Sequence, residues 1–259
     1  MIFKLVNFNK GVIIMLKRTF VVMLALALLV ALSGFTVMAE TYVVGTSAGF
    51  PPFEYIQDGE VVGFDIDLMR AIGESQGFDI EITDISFDSL IPGLQAGTID
   101  IVAAGMTITE QRAQVVDFTD PYYSANQAVL VREGSGRNVT VLFGDNRLAV
   151  QTGTTGDLWV EEHLQDTGIL TGNVTHFDTF VLAVQDLINE NVQAVVLDTP
   201  VAQRYAADNP VEMIAELVTG EEYGLAVARG NTELLDKLNA GLQDVIESGV
   251  MDELLAKHF

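Results

Sequence analysis

From residue 41 onward, short apolar runs alternate with amphipathic segments, and this alternation constrains the fold more than any other feature of the chain. Runs such as YVVGT (42–46), FDIEIT (78–83) and IDIVAAG (99–105) have the length and composition of strands. The segments 65–77 and 87–96 carry the residue spacing of helices. Strands that alternate with helices predict an α/β fold built on parallel sheets.

A second series of the same kind follows a turn-rich stretch, EGSGRN (133–138). The further predicted strands lie near 115–118 and 126–132, and at 147–153, 174–177, 193–198 and 223–228. The further predicted helices lie at 155–164, 180–191, 199–207, 232–248 and 251–257. Because the two series are separated by a break near 124–138, we expect two lobes.

Polar residues and glycines mark several of the predicted helix ends. Asp65 is the predicted N-cap of the helix over 65–77, and Gly77 is its predicted C-terminal stop. Thr109 is the predicted start of a further short helix.

The N-terminal segment, residues 1–39, has the layout of a secretory signal peptide, with Met15 as the expected start. Lys17 and Arg18 precede an apolar run over 20–32, and Val37-Met38-Ala39 has the small residues of a cleavage site. An uncleaved anchor helix is the alternative, which the short apolar run disfavours. Export predicts a periplasmic or cell-surface location.

Charge and residue usage exclude several classes of function. Removal of residues 1–39 lowers the number of Lys and Arg residues from 13 to 9, against 36 acidic residues, for a formal charge of −27. Such a surface repels nucleic acid, so no nucleic-acid partner is predicted. The chain has no cysteine and only three widely spaced histidines, so no metal site and no cofactor are predicted.

The stretch AAGMTITEQR (103–112) follows an apolar strand and is the first candidate for binding chemistry. Ligands of open α/β sheets bind beyond the carboxyl ends of strands. Gly105 permits close backbone approach, Thr107 offers a hydroxyl and an amide, and Arg112 offers a bidentate fork. With a helix start at Thr109, these residues predict a carboxylate receptor. The alternative is that Thr109 only caps the helix and Arg112 pairs with a surface acid.

Aromatic residues follow two of the strands. Phe50, in TSAGFPPFEY (46–55), is predicted to be an exposed lid over an apolar ligand stem, whereas Phe53 is predicted to lie in the core. Phe87 follows the strand at 78–83 and is a candidate for either role.

Two loops of the second series supply polar groups. QTGTTG (151–156) presents amides and hydroxyls but lacks the lysine of a P-loop, so phosphate binding has little support. Asp198 ends an apolar strand, where its carboxylate either meets an ammonium group or caps the next helix. Arg112, Asp198 and the aromatic residues match the α-carboxylate, α-ammonium and stem of a free amino acid. Since the two charges come from different halves of the chain, a cleft closed by both lobes is predicted.

The order and spacing of these motifs resemble the extracytoplasmic solute-binding proteins of polar amino-acid ABC transporters, family 3, over nearly all of 41–259. The motifs are GTSAGFPPFEY (45–55), GFDIDL (63–68), SLIPGLQAGTIDIVAAGMTITEQR (89–112), VDFTDPYY (116–123), QTGTT (151–155), VLDTP (196–200) and YGLAV (223–227). The resemblance implies a two-lobed, periplasmic-binding-protein-like fold of type II with two hinge strands. Residues 40–124 and 227–259 are expected to form lobe 1, and residues 125–226 lobe 2.

The resemblance also implies a role for each site residue. Arg112 is expected to bind the α-carboxylate with Thr107 and the amide of Thr155. Asp198 is expected to bind the α-ammonium with the Gly105 carbonyl and the Thr107 hydroxyl. The remaining implied ligand-binding residues are Phe50 and Phe87 around the side chain, Ser47, Gln151 and Leu197 at its tip, and Thr154 in the QTGTT motif.

The tip residues depart from the pattern of some relatives. Certain relatives that bind basic or amide side chains have an acid where Ser47 stands, and some glutamine binders have lysine and histidine in place of Gln151 and Leu197. A cationic preference therefore loses one support unless Glu54 or another acid replaces it. The expected ligand is a polar amino acid of unassigned identity.

The resemblance implies a monomeric binding protein that closes about its hinge and delivers an amino acid to the permease subunits of an ABC importer. The alternatives are an enzyme on the same fold, such as a cyclohexadienyl dehydratase, and a ligand-sensing module. Turnover needs a positioned acid or base, and the predicted cleft offers only Asp198, with no histidine or lysine. Binding without catalysis is therefore the prediction.

Overall fold

The computed structural model describes Met15 and residues 39–259 of the chain. Residues 40–259 form one compact unit. The predicted signal peptide lies, apart from Met15 and Ala39, outside the described residues. Within the described part of the chain, no helix combines the length and the apolar character that crossing a bilayer requires.

The strands and α-helices of residues 39–259 are as follows, in chain order. They are β1 Thr41–Thr46, β2 Tyr55–Gln57, β3 Glu60–Val62, α1 Phe64–Gln76, β4 Asp79–Asp84, α2 Leu90–Ala96, β5 Ile101–Val102, β6 Val116–Phe118, β7 Tyr123–Arg132, β8 Leu148–Gln151, α3 Thr155–Val160, β9 Val174–Phe177, α4 Phe180–Ile188, β10 Ala194–Asp198, α5 Thr199–Asp208, β11 Val211–Tyr223, β12 Ala226–Ala228, α6 Thr232–Glu247 and α7 Val250–His258.

The first sheet has the strand order β4-β1-β5-β12-β6. β1 is parallel to β4 and β5, as expected for strands connected through helices, whereas β12 is antiparallel to β5 and β6. α1 packs against β4 and α6, and buries Leu68 and Ile72 completely. Gly241 lets α6 approach α1 closely, since a Cβ at this position would lie 2.7 Å from Cγ2 of Ile72.

The second sheet has the strand order β11-β7-β10-β8-β9. β8 is parallel to β9 and β10, and β7 is antiparallel to β10 and β11. Every residue of β10 is buried, as the apolar run AVVLD predicts for a central strand. α3 and α4 both pack against β8 and β10.

The chain crosses between the sheets twice. Residues 119–122 lead from β6 to β7, and residues 224–225 lead from β11 to β12. β7 and β11 are long paired strands, with Tyr123 opposite Tyr223 at their shared end. The result is two α/β lobes linked by two connecting segments. The lobe boundaries at 124/125 and 226/227 stay a prediction.

β11 is the main element that sequence patterns do not predict. Its residues VEMIAELVTGEEY mix apolar and acidic side chains without strict alternation. Register shifts against β7 lie between Met213 and Ala215 and between Leu217 and Glu221. Because each irregularity interrupts the two-residue period, the usual pattern of a half-buried strand is lost.

Other elements are shorter than predicted. Of the strand predicted at 99–105, only Ile101–Val102 pairs as a strand. The helix predicted at 155–164 is α-helical to Val160 and continues as a π-helical turn, Glu161–Gln165. The strand predicted at 223–228 divides into the end of β11 and the separate β12.

Asp65 is not an N-cap. α1 begins at Phe64 after Gly63 and has no side-chain cap, whereas it ends as predicted at a left-handed Gly77. Oδ2 of Asp65 accepts hydrogen bonds from the Gly105 amide at 2.8 Å and from the Tyr122 hydroxyl at 2.7 Å. The buried carboxyl group therefore holds the loop after β5 in place.

Candidate functional site

The loops at the carboxyl ends of β1, β5, β8 and β10 converge on one cavity between the two sheets. Its lining residues are Ser47, Phe50, Phe87, Gly105, Thr107, Arg112, Gln151, Thr154, Thr155 and Asp198. The cavity is narrow: about 280 Å³ lies between the lining atoms, open solvent included, but only about 10 Å³ is free for the centre of a water molecule. The structure thus brings together all of the predicted site residues except Leu197.

Arg112 is buried at the cavity wall, with 8% of its surface exposed. Nη1 donates to the Thr107 carbonyl at 2.7 Å and Nη2 to the Gly153 carbonyl at 3.1 Å, and the guanidinium carbon lies 5.2 Å from the centroid of the Phe87 ring. It forms no salt bridge with any carboxylate of the described residues, so it is not a surface ion pair. Burial lowers the pKa of Arg112 to about 10, which leaves it charged at neutral pH.

The helix predicted to start at Thr109 is a single 3-10 turn, Arg112–Gln114. Oγ1 of Thr109 accepts a hydrogen bond from the Arg112 amide at 3.2 Å. One turn aligns too few peptide dipoles to attract an anion strongly. The positive character of this side of the cavity therefore comes from the guanidinium.

Asp198 lines the same cavity from the second sheet and is 3% exposed. It stands at the N-cap position of α5 but makes no side-chain capping bond; instead, Oδ1 accepts a hydrogen bond from the Tyr223 hydroxyl at 2.6 Å. Burial, and then the negative charge of Glu221, raise the pKa of Asp198 to about 7. A cationic group in the cavity would favour the ionised form of this carboxyl.

The two threonines of the 151–156 loop have different tasks. Thr154 is the N-cap of α3: its Oγ1 accepts from the Asp157 amide at 3.2 Å and donates to the Gln151 carbonyl at 2.9 Å. Thr155 is the first residue of α3, where a backbone amide has no partner within the helix. Its amide is therefore available to an acceptor in the cavity.

Phe50 is 7% exposed, so the prediction of an exposed lid is wrong. Its ring stacks on Phe180 of α4, with 5.8 Å between ring centroids, and it also lines the cavity. Gly105 makes room for this ring, because a Cβ there would lie 2.5 Å from Cε1 of Phe50 and the backbone φ is +52°. An aromatic residue of the other lobe covers Phe50, which sequence position does not reveal. Phe53 is fully buried, as predicted.

Ser47 and Gln151, the lining residues expected to face the tip of the ligand, lie next to each other. Nε2 of Gln151 donates to the Asp178 carbonyl at 2.9 Å and to Oγ of Ser47 at 3.3 Å. Leu197 does not line the cavity and is a correction to the predicted set: it is fully buried within the largest hydrophobic cluster. Since successive strand side chains point to opposite faces, the orientation of Asp198 into the cavity turns Leu197 away.

Glu54 does not line the cavity either, and it is 1% exposed. Burial, and then the charge of Asp65, raise the pKa of Glu54 well above its usual value. This shift disfavours the charged form of Glu54, and its side chain lies outside the cavity lining, so it does not replace the missing acid at position 47.

Glu221 of β11 is the site-related residue that sequence patterns missed. Its carboxylate lies behind Thr107 and Thr155 and accepts hydrogen bonds from both hydroxyls. The sequence pattern around Glu221 gave little indication of its role, because the predicted strand began only at Tyr223. An acid next to an apolar strand in a chain with 36 acidic residues does not stand out.

The comparison with protein families decides the classification. The family described as bacterial extracellular solute-binding proteins, family 3, matches residues 42–259. The chain belongs to this family. The match covers both sheets and every residue that lines the cavity.

Individual family members and solved structures are similar along most of the chain. The ABC transporter arginine-binding protein 1 of Escherichia coli (strain K12) is 33% identical over 85% of this chain and 91% of its own length. The structure of an ancestral arginine-binding protein bound to arginine superimposes with a TM-score of 0.80 and 42% identity, over 86% of this chain and 99% of the other; its glutamine-bound structure gives 0.79. The arginine-, lysine-, histidine-binding protein ArtJ of Geobacillus stearothermophilus gives 0.77 at 37% identity, over 85% and 95%.

These similarities confirm the predicted fold class, the two-lobed binding-protein fold of type II with two connecting strands. The relatives named above are described as binding proteins, and two of the descriptions name a single amino acid as the bound ligand.

Proposed function

We propose that this solute-binding protein binds a free L-amino acid with a polar side chain between its lobes and delivers it to an ABC importer. The observation that carries the proposal is the position of two buried, opposite charges, Arg112 and Asp198, on one cavity. Arg112 follows β5 of the first sheet, and Asp198 ends β10 of the second sheet. A zwitterion is the small ligand that satisfies both charges at once.

The groups around each charge support the proposed assignment. Arg112 uses its bonds to two backbone carbonyls for orientation and has no acid partner among the described residues, so it can bind the α-carboxylate with the Thr155 amide. Asp198 would bind the α-ammonium together with the Gly105 carbonyl and the Thr107 hydroxyl. A buried carboxylate without a cation is costly. Pairing with Asp198 removes this cost and therefore strengthens the binding of the ammonium group.

Lobe closure is the proposed mechanism. The ligand first contacts lobe 1 through Arg112 and Phe50, and Asp198 and Thr155 arrive with lobe 2. Only the closed state offers both sets of contacts, so the ligand shifts the population towards it. Hinge closure around a ligand is the characteristic motion of periplasmic binding proteins. A Kd of about 1 μM corresponds to about −8 kcal/mol, which roughly ten ligand atoms can supply.

The proposed ligand class rests on the tip residues and on the relatives. Ser47 and Gln151 are polar and uncharged, and Phe50 and Phe87 can enclose an aliphatic stem. Relatives are described as binding arginine, lysine, histidine or glutamine. L-arginine and L-glutamine, one cationic and one neutral, are therefore the first ligands to test.

The proposal extends to location, partners and chemistry. We propose that residues 1–39 direct export, that the protein works as a monomer outside the cytoplasmic membrane, and that the permease subunits of the importer receive its ligand. We also propose binding without catalysis. The cavity is lined by no histidine or lysine of the described residues that could act as a general acid or base.

A thermal-shift screen of the exported protein, residues 40–259, against the twenty amino acids tests the proposed function. A ligand at about 100 times its Kd stabilises the folded state by about 2.7 kcal/mol, which raises Tm measurably. We expect a polar amino acid to give the largest shift. Incubation with prephenate or arogenate should yield no product. The absence of any shift with every amino acid would refute the proposal.

Calorimetry on Arg112→Ala and Asp198→Ala tests the assigned site. Each change strands one charge of the ligand, and we expect a loss of about 2–5 kcal/mol in binding free energy. Arg70→Ala is the matched control, because this arginine is exposed and pairs with Asp67 away from the cavity. Near wild-type affinity in both site variants would show that Arg112 and Asp198 do not form the binding site.

A further inference from the structure

Glu221 is the hub of a hydrogen-bond network directly behind the cavity, and it is 8% exposed. Its Oε2 accepts from the hydroxyls of Thr107 and Thr155, each at 2.7 Å. Its Oε1 accepts from Nε2 of Gln127 at 2.9 Å and from the Thr219 hydroxyl at 3.0 Å. Four donors therefore surround one carboxylate.

The network joins a loop of the first sheet to two strands and a helix start of the second sheet. Thr107 follows β5 of the first sheet, and Thr155 opens α3 beside the second sheet. Gln127 lies on β7, and Glu221 itself lies on β11. Thr107 and Thr155 line the cavity, whereas Glu221 lies outside its lining and borders a neighbouring groove.

The bonds to Glu221 determine whether the Thr107 and Thr155 hydroxyls can donate or accept a hydrogen bond in the cavity. A threonine hydroxyl has one proton to donate and two lone pairs to accept with. A carboxylate can only accept, and short bonds to it are stronger than bonds between neutral groups. The protons of Thr107 and Thr155 are therefore committed to Glu221. What their oxygens offer to the cavity is lone pairs.

The two hydroxyls are not equivalent. Oγ1 of Thr155 also accepts from Nε2 of Gln127 at 3.3 Å, which uses one of its lone pairs. Besides Glu221, the partner of the Thr107 hydroxyl among the described side chains is Oγ1 of Thr155, 3.5 Å away, and the proton of Thr155 is committed to Glu221. Oγ1 of Thr107 is therefore the better acceptor for a ligand. It lines the cavity together with the Asp198 carboxylate and Gly105.

We infer that Glu221 is a positioning residue that makes the cleft select ligands with an α-ammonium group, by holding the Thr107 hydroxyl as a hydrogen-bond acceptor. The inference rests on the proposed function, because it specifies how the same site recognises its ligand. Glu221 acts through Thr107 and does not touch the ligand. A hydroxyl that can only accept forms a hydrogen bond with an N–H donor of the ligand. It cannot donate a hydrogen bond to a ligand oxygen in the same place.

The negative charges around the cavity also favour a ligand with an ammonium group. Glu221 and Asp198 supply two negative charges near Arg112, and both favour the charged form of the guanidinium. When Asp198 is ionised, two anions against one cation produce a local field that attracts a cationic group. A ligand without an ammonium group has no means of using this field.

Glu221→Gln is the decisive variant. An amide has one accepting oxygen and one donating nitrogen, so it can no longer receive all four donors, and it can turn the Thr107 hydroxyl towards the ligand as a donor. Affinity is measured by calorimetry for L-arginine and L-glutamine and for their des-amino analogues, δ-guanidinovalerate and glutaramate. We expect the preference for the amino acid over its analogue to fall by about tenfold or more in the variant, as for loss of a charge-assisted hydrogen bond.

Glu222→Gln is the matched control, because it removes the same charge from the next residue, whose side chain is exposed. We expect this control to keep the wild-type preference. Thr107→Val provides an independent arm if Glu221→Gln does not fold, since it removes only the hydroxyl and should reduce the preference in the same way. In the double variant the two losses should not add, because both act on one hydroxyl.

The outcomes separate this inference from the proposed function. If the wild-type protein binds neither amino acid, the proposed function fails. If it binds one of them and Glu221→Gln or Thr107→Val keeps the full preference over the des-amino analogue, only the role of Glu221 fails. A uniform loss of affinity for amino acid and analogue alike would also overturn it, because that is the signature of a merely structural role.

Discussion

The two ends of the cavity are built differently. At the polar end, Arg112, Asp198 and Thr107 are each held by a hydrogen bond of 2.6 to 2.7 Å. At the tip end, Ser47 and Gln151 share one bond of 3.3 Å and carry no charge. In the proposed function, the polar end meets the groups that all amino acids share, and the tip end meets the part in which they differ.

The difference indicates where affinity and specificity arise. Preorganised charges in a buried site give large contributions because they need no rearrangement when the ligand arrives. The neutral pair of Ser47 and Gln151 contributes less because it carries no charge, although Gln151 is also held by the Asp178 carbonyl at 2.9 Å. We therefore expect changes at the polar end to affect every ligand strongly, and changes at the tip to alter the order of preference.

Gly105→Ala should have the largest effect of the further changes considered, since this residue lies where the polar end meets Phe50. The left-handed backbone costs an alanine about 1–2 kcal/mol, and overpacking against the ring adds about 1–3 kcal/mol. We expect a total loss of about 2–5 kcal/mol in the free energy of unfolding, measured in urea.

Gly77→Ala is its control, because Gly77 has a φ of +73° and open space where the Cβ would stand. It should show the backbone cost alone. Equal losses in both variants would mean that Phe50 adjusts freely, and that the close fit at the polar end is not important.

The pH should affect the polar end and leave the tip unchanged. The Asp198 carboxyl, with a pKa of about 7, must be ionised to pair with an ammonium group. We expect the affinity for the amino acid to fall as the pH drops below about 7, by up to about tenfold per pH unit. The ratio of affinities for L-arginine and L-glutamine should stay constant. Calorimetry at several pH values measures both, and a flat profile for the wild-type protein would contradict the prediction.

The same raised pKa predicts the pH dependence of stability. Because the folded protein binds this proton more tightly than the unfolded chain does, the stabilisation is full below the unfolded value of 3.8 and is lost as the pH rises through about 7. Asp198→Asn removes the titration. In the absence of ligand it should therefore raise Tm relative to wild type more at about pH 8.5 than at about pH 5.

Ser47→Asp should sharpen the contrast between the two ends by placing a charge at the tip. Ser47 is 4% exposed, and a carboxylate there would have a cationic side chain as its natural partner. We expect the preference for L-arginine over L-glutamine to rise by about 1–2 kcal/mol. Ser47→Asn, similar in size but neutral, is the control. Equal changes in affinity for both ligands would show that residue 47 does not distinguish their side chains.

Tyr205→Phe should have the smallest effect, because it touches neither end of the cavity. The Tyr205 hydroxyl donates to the Gly49 carbonyl at 2.7 Å, from α5 beside the second sheet to the loop after β1. Its loss should weaken closure by about 0.5–1.5 kcal/mol for every ligand alike. Tyr55→Phe, on β2 and outside the cavity lining, is the control. A change in the order of ligand preference would contradict the separation of closure from selectivity.

The sequence alone determined the α/β class and most of the candidate cavity. Apolar periodicity is local information, which is why β1, β4 and β9 and helices α1, α5 and α6 were predicted nearly to their ends. Polar residues at strand ends and in the loops that follow are also a local sequence pattern. Arg112 and Asp198 could therefore be predicted as a pair before their positions were known.

The direction of particular side chains depends on contacts between elements that are distant in sequence. The burial of Phe50 depends on Phe180, 130 positions further along the chain, and Leu197 turns away because its neighbour Asp198 faces the cavity. Irregular pairing hid β11, and with it Glu221, from the two-residue period. The physical reason is common to these cases: which face of a strand or loop is buried depends on the element that packs against it, and that partner is distant in sequence.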